Sequence, residues 1–576
     1  MIKLLKRLKN YGGWIAVIVV LTFIQAMSEL YLPNIMSNIV DYGIVQKDMN
    51  YILTQGGYML LVAIGGVVCI VAAGYLSSEV SAKFGRDLRA SVFKKAEGFS
   101  LNEMDKFGAS SLITRTTNDI TQVQQVVLMM LRMVVKSPIM AIGGVIMAVS
   151  KDAKLSLILV VVIAIMAVLI GVISKITIPM FKKMQTRIDQ LNLVLRENLI
   201  GVRVIRAFNK IDFEKLRFQG ANQDLTDVSM KVNKTMAFMM PIIMLLFNYT
   251  TIAILWFGSS RIDLGSMQVG DLMAFIQYAM QIMFSIVMLT MILIMIPRAS
   301  ASAVRIEEVL ETEISIPDVE KEMAFKSQGN VRFNDVSFYY QGAENPALEH
   351  ISFEAQRGKT TAIIGGTGSG KSTLINLIPR FYDVSSGAIE IDGVDIRQIP
   401  QEILRQQIGL VPQKNVLFSG TIESNLTFGN SNPRAEALEM AIEIAQASEF
   451  VDQKENKIAA EVSQGGTNFS GGQKQRLAIA RALARKAPIY IFDDSFSALD
   501  FKTDAKLRRA LKEQVKEATM IVVAQRVTTI MDADQIIVLD EGQIAGIGTH
   551  KALLDNCDVY REIVYSQLSE EEVHHG

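Results

Sequence analysis

The run Gly365-Gly366-Thr367-Gly368-Ser369-Gly370-Lys371-Ser372 has the spacing G-x-x-x-x-G-K-[ST], a loop that cradles the phosphates of a nucleotide. Its glycines let backbone N–H groups turn toward the phosphates, and a helix beginning behind them adds a favourable dipole. Lys371 is placed to hold the β- and γ-phosphates and Ser372 to bind Mg²⁺. The context is the one such a loop requires. Thr361-Ala362-Ile363-Ile364 reads as a strand before it, and Thr373 begins a helical run to Ile378 after it. Far downstream, Asp493 ends the apolar run Ile489-Tyr490-Ile491-Phe492, where a carboxylate for Mg²⁺ belongs. These residues predict a site for ATP with Mg²⁺.

Upstream of Asp493 lies Phe469-Ser470-Gly471-Gly472-Gln473-Lys474-Gln475-Arg476. This segment resembles the signature motif of ABC ATPases. The whole chain is similar to an ABC exporter half-transporter, in which a membrane domain is fused to a nucleotide-binding domain. The resemblance implies further roles. Tyr340, in Val336-Ser337-Phe338-Tyr339-Tyr340, matches the aromatic that stacks on adenine. Gln413, in Val411-Pro412-Gln413, matches the glutamine that touches Mg²⁺ and couples to the membrane domain. Ser497-Ala498-Leu499-Asp500 matches the D-loop. Two such domains close head to tail, so Ser470, Gly471, Gly472 and Gln473 are expected to complete the partner's ATP site. Phe469 stands where Leu is common.

Two residues depart from the family pattern. Asp494 follows Asp493 where a Glu aligns the attacking water, and Gln525 ends the run Ile521-Val522-Val523-Ala524 where a His senses the γ-phosphate. Asp is one methylene shorter than Glu, so its carboxylate falls about 1–1.5 Å short, and a 1 Å misplacement costs roughly 10²-fold in rate. Gln forms hydrogen bonds but takes no proton as His does. The four His are His350, His550, His574 and His575, and none lies in that strand. Paired losses of this kind resemble the degenerate-site subunit of heterodimeric bacterial multidrug exporters. They imply a second, non-identical half-transporter with intact Glu and His. Hydrolysis by a homodimer using Asp494, and a regulatory subunit that only binds ATP, remain alternatives.

The elements that must position these residues fall into two textures. The chain has 576 residues, half of them apolar and a fifth charged, with 30 Met. That length needs at least two domains, and the apolar content leans toward a membrane protein. Lys+Arg and Asp+Glu are both 58, so no nucleic-acid footprint shows. Cys69 and Cys557 imply no disulfide framework. Runs poor in charge lie at 14–32, 57–78, 130–150, 155–175, 236–258 and 272–297. A crossing needs about 20 apolar residues, so six crossings are expected. Arg132 and Lys136 interrupt the third and are expected near the interface or snorkelling toward it. Lys3, Lys6, Arg7 and Lys9, with seven basic residues between crossings two and three, place the N-terminus and the ATP-binding part in the cytosol, and the resemblance to bacterial exporters implies a bacterial cytoplasmic membrane. Residues 14–32 read as a retained crossing, not a cleavable signal.

The fold class that follows is an all-α membrane domain of six transmembrane helices with long cytosolic extensions, fused to an α/β P-loop ABC nucleotide-binding domain. The expected boundaries are 1–310, a linker at 311–328, and 329–576. The extensions span roughly 79–127 and 176–235. Within them Ser111–Asp119 and Gly201–Phe208 resemble the two coupling helices that press on ATP domains. Phe284, Met288, Met291 and Met295 share one helical face of the sixth crossing, and flexible, polarizable Met suits varied amphipathic ligands. Gln277, Gln281 and Asn248 add polar groups within crossings. Glu29 is the foremost intramembrane ionisable residue, placed to serve a cationic compound or to sit at the outer interface. No peptidase domain precedes the first crossing, which lowers a self-processed peptide cargo. A lipid or lipid-linked cargo stays open.

Overall fold

The computed structural model describes residues 1–319, 325–429 and 434–568, without the side chains of Ile2 and 291–294. His574, His575, the linker stretch 320–324 and the Met291 side chain lie outside that description. The chain divides into two compact units. One comprises Met1–Glu97 and Ala109–Thr312, the other Gly98–Gly108 and the chain from Glu313 onward.

The first unit is helical. Six segments are long and apolar enough to cross a membrane: Lys3–Ile44, Met49–Glu97, Ala109–Lys151, Ser156–Ile200, Ile211–Asp263 and Val269–Glu311. Each contains one expected crossing. The fifth has 53 residues. At about 1.5 Å per residue that is roughly 80 Å, against about 30 Å of hydrocarbon, so most of the surplus extends beyond the bilayer. Pro33, Pro138, Pro179, Pro241 and Pro297 sit inside these helices, which neighbouring helices make tolerable in a membrane. Short π turns at Ile39–Ile44, Arg115–Asp119 and Met130–Val134 adjust register.

Several of the more buried charged side chains in this unit are paired, as burial demands. Lys151 Nζ lies 2.7 Å from Asp271 Oδ1 and Arg261 Nε 2.9 Å from Asp152 Oδ2. Arg132 and Lys136 both find partners within the chain. Arg132 Nη2 donates to Gly74 O and Ser78 Oγ, each at 2.8 Å, and Lys136 Nζ lies 2.8 Å from Glu29 Oε1. Glu29 is therefore engaged from within the chain and is not a free anion awaiting a cationic compound.

The stretch Ser111–Asp119 belongs to the third long segment and packs within the membrane unit. Asp119 accepts from Arg305 Nε at 2.8 Å and from Ser302 Oγ at 2.9 Å, and Arg115 reaches Glu308 at 2.7 Å. The helix that joins the ATP-binding unit is instead Leu101–Phe107. Ser100 and Glu103 form a capping box on it. Glu103 Oε1 also accepts from Ser315 N at 3.2 Å, and Asp105 accepts from Tyr382 OH at 3.2 Å. The spacing S-x-x-E was the missed signal. The other expected segment does contain a short helix, Val202–Ala207, with no buried residue.

The second unit holds two main sheets. β1 (Val331–Phe338), β2 (Leu348–Ala355), β4 (Ser386–Ile391) and β5 (Val394–Asp395) form an antiparallel sheet in the order β2-β1-β4-β5. A six-stranded sheet combines β3 (Thr360–Gly365), β6 (Ile408–Val411), β9 (Ile489–Asp493), β10 (Thr519–Val523), β11 (Gln535–Asp540) and β12 (Gln543–Gly548) in the order β12-β11-β3-β10-β9-β6. β7 (Gly420–Thr421) and β8 (Glu461–Val462) make a small pair. β9 is buried throughout and β3 over its middle four residues. That explains their continuous apolar reading, since helices cover both faces of a parallel sheet. β3, β6, β9, β10 and β11 run parallel, with Val523 beside both Ile363 and Asp493 and Val411 beside Phe492. Their carboxyl ends therefore share one edge, where ligands of such sheets bind.

Candidate nucleotide site

The phosphate loop leaves β3 at Gly365 and enters the helix Lys371–Leu377. Gly368 and Gly370 have φ of +87° and +96°, a region L side chains avoid. A Cβ on Gly370 would also lie 2.7 Å from Leu348 Cδ2, and one on Gly365 would collide with Leu539 O. Lys371 Nζ donates to Gly365 O at 2.9 Å and Gly366 O at 2.6 Å. Burial holds its ammonium below the ordinary value, against the pull of Asp493 and Asp494. Tyr340 OH and Thr373 Oγ1 share a hydrogen bond of 2.9 Å, and the Tyr340 ring stands edge-on to Tyr382 with centroids 5.5 Å apart. Tyr340, Gly368, Gly370, Lys371, Ser372 and Thr373 line one cavity of about 440 Å³, the size expected of a small-ligand site. Glu541 and Gly542, at the β11–β12 turn, join its wall. Sequence reasoning missed them because the turn lies far down the chain and carries no phosphate motif.

Asp493 closes β9 beside Ser372. Burial, reinforced by the neighbouring Asp494, raises its carboxyl above the usual range, with Ser372 and Lys371 opposing. Burial also raises Asp494, against hydrogen bonds from Gln413 and Ser497. Two crowded carboxylates beside a hydroxyl form an oxygen donor set of the kind a hard divalent cation takes. The glycine cradle, the carboxylates and the Ser372 hydroxyl thus fit a nucleotide with Mg²⁺. Bound there, the cation would supply charge neutralisation at the β- and γ-phosphates.

The decisive contact joins the two unusual residues. Gln525 Nε2 donates to Asp494 Oδ2 at 3.0 Å. Asp494 is further fixed by its own N–H to Val523 O at 2.9 Å, and by Ser497 Oγ to its carbonyl at 3.0 Å. Its φ is +47°, which Asp adopts more readily than most residues. No histidine reaches it among the described residues. His350 bonds Asp335 and His550 bonds Tyr560.

Ser470 caps the helix Gly471–Leu483 in a capping box with Gln473, Gln473 N donating to Ser470 Oγ at 3.3 Å and Ser470 N to Gln473 Oε1 at 3.0 Å. None of Ser470, Gly471, Gly472 or Gln473 lines the cavity above. Gly472 packs close to Ala498 O, where a Cβ would sit at 3.3 Å. Phe469 is buried and edge-on to Phe450 at 6.4 Å, so its bulk fills the helical core. Asp500 caps the helix Phe501–Gln514, accepting from Thr503 N at 2.9 Å.

Two family models match the chain: the ABC transporter transmembrane region over residues 15–286 and the ABC transporter domain over 348–497. An uncharacterised ABC transporter ATP-binding protein of Mycobacterium tuberculosis is 43% identical over 567 residues, covering 98% of this chain and 97% of that protein. The chain belongs to the ABC transporters. The ATP-binding protein YfiB of Bacillus subtilis, also an uncharacterised ABC transporter, is 39% identical over 99% of both chains. An ATP-dependent lipid A-core flippase of Vibrio vulnificus is 33% identical over 98% of this transporter and 97% of its own length. Among solved structures, a bacterial Atm1-family ABC exporter with ATP bound superposes with a TM-score of 0.80 at 25% identity, covering 98% and 99% of the two chains. The transporter is thus an ABC exporter half, with six membrane helices and an ATPase domain on one chain.

Proposed function

We propose that this chain is the ATP-retaining half of an unequal pair of ABC exporters, moving amphipathic compounds, multidrug substrates among them, out through a bacterial cytoplasmic membrane. The single observation that carries the reading is the Gln525–Asp494 hydrogen bond. It ties the shortened carboxylate to the residue standing in for the switch histidine. A carboxylate held by an amide is poorly placed to orient water, and among the described residues no histidine stands behind it. In this reading Lys371, Ser372, Asp493 and Gln413 hold ATP and Mg²⁺ with Tyr340 against the base, while Ser470, Gly471, Gly472, Gln473 and Asp500 complete the partner's site. Residues 1–310 form the transmembrane domain, 311–328 the linker and 329–576 the nucleotide-binding domain. The N-terminus and the ATP domain are cytosolic. The exposed helix Val202–Ala207, with Phe208 73% exposed after it, is available to the partner's ATP domain.

The test uses the co-purified pair. Asp494→Ala is expected to leave most ATPase activity, whereas removing the partner's catalytic glutamate abolishes it. The opposite pattern rejects the assignment. Similarity to a lipid flippase supports a second reading, a homodimeric exporter of lipid or lipid-linked cargo. A homodimer would lose all turnover with Asp494→Ala.

A further inference from the structure

Among the described residues, the charges clustered around Glu29 in the helices read as crossings do not cancel. Arg132 and Lys136 stand about one turn apart on the third long helix, Arg132 within its π turn Met130–Val134 and Lys136 just beyond it. They meet a single carboxylate, Glu29. Glu29 Oε1 accepts from both Lys136 Nζ at 2.8 Å and Gln25 Nε2 at 2.9 Å. Arg132 is exposed, and its contacts are the neutral Gly74 O and Ser78 Oγ; it has no carboxylate partner among the described residues. The Lys136 and Glu29 side chains each remain about a third exposed. Gln281 Nε2 donates to Glu29 O at 3.2 Å, while its Oε1 is buried without a donor. The patch therefore carries one surplus positive charge and one unanswered acceptor. A charge left facing hydrocarbon is costly, so such groups mark a cavity or a transport path.

We propose that Arg132, Lys136 and Gln281 form a cargo subsite for the head of an anionic amphiphile, a phosphate that also carries a hydroxyl or amine, on an apolar tail. Guanidinium and ammonium bind a phosphate by charge-assisted hydrogen bonds, and the hydroxyl or amine answers Gln281 Oε1. Glu29 keeps Lys136 oriented and sets the sign of the site. This rests on the exporter reading and reverses the cationic preference that Glu29 alone suggested.

The experiment reconstitutes the full-length transporter with its partner in neutral phosphatidylcholine vesicles and reads ATPase stimulation. Dodecyl phosphate is compared with dodecyltrimethylammonium, which has the same tail and the opposite charge. A second arm adds phosphatidylglycerol, whose head has hydroxyls, to the vesicles. Dodecyl phosphate is expected to act at the lower concentration. Arg132→Gln should raise that concentration about tenfold, the scale of one lost charged hydrogen bond. Lys136→Gln, which bares Glu29, should turn the preference toward the ammonium, and Glu29→Gln should strengthen it toward the phosphate. Phosphatidylglycerol competing with dodecyl phosphate identifies a membrane lipid as the natural source, and absence of competition identifies a soluble amphiphile. Equal response to both tails, a preference for the ammonium in the unsubstituted transporter, or indifference to all three substitutions overturns the proposal. The readout is a ratio within one preparation, so it does not depend on which ATP site turns over. Failure of the unequal-pair reading shows in the Asp494→Ala assay instead.

Discussion

At the residue scale, chemistry turns on which atoms are already engaged. Asp494 is short of the place a Glu would reach, and Gln525 holds it. Lengthening the side chain alone leaves the amide in place to capture the new carboxylate. Asp494→Glu alone is therefore expected to change turnover at this site by less than about threefold. Asp494→Glu with Gln525→His should raise it by about 10²-fold, the lower end of the roughly 10²–10⁴-fold range of general acid–base help. The measurement is ATPase activity in a pair whose other catalytic glutamate has been removed, so that only this site reports. A full gain from the single substitution would show that Gln525 imposes no restraint. The motif residues were legible in the sequence because spacing specifies a phosphate loop. The bond between residues 494 and 525, 31 positions apart, was not.

At the element scale, the parallel strands do the assembling. Once Val523 lies beside Asp493 and Ile363, the ends of three strands from distant parts of the chain deliver Lys371, Asp493 and Gln525 to one edge. The strands themselves were legible as apolar runs. The small helix Leu101–Phe107 was not given its role, because Ser111–Asp119 offered charged residues of the expected kind. Those charges are used at home, Asp119 by Arg305 and Ser302. Beside the Asp105–Tyr382 bond, Glu103 is one of the ties between Leu101–Phe107 and the ATP-binding unit, through the Ser100 cap and Ser315 N. Glu103→Ala removes both and is expected to destabilise this helix by about 1–2 kcal/mol. Hydrogen exchange of the amides at 101–107 should rise several-fold, while that of the buried strand Ile489–Asp493 stays unchanged. Equal protection in the variant would mean that the cap and the Ser315 bond contribute nothing.

At the scale of the whole molecule, in the proposed reading one chain offers the two ends of an ATP interface that it does not close on itself. The cavity at Lys371 and the cap at Ser470 are separate features, and the helix Val202–Ala207 buries nothing in its own chain. The transporter purified alone in lipid is accordingly expected to bind ATP yet hydrolyse it at less than about a tenth of the rate of the pair. A rate equal to the pair's would instead favour the homodimer. Side by side, these scales separate two kinds of information. Periodicity, loop spacing and apolar run length by themselves determined six helices long and apolar enough to cross a membrane and a P-loop α/β domain of the ATP-binding kind, because each rests on local geometry or on the bilayer's thickness. Only the tertiary structure decided that Gln525 holds Asp494, that Lys136 pairs with Glu29 while Arg132 has no acidic partner among the described residues, and that Leu101–Phe107 joins the ATP-binding unit. Each is a contact between residues remote in sequence, and its partner is chosen by packing, on which the order of residues along one segment is silent.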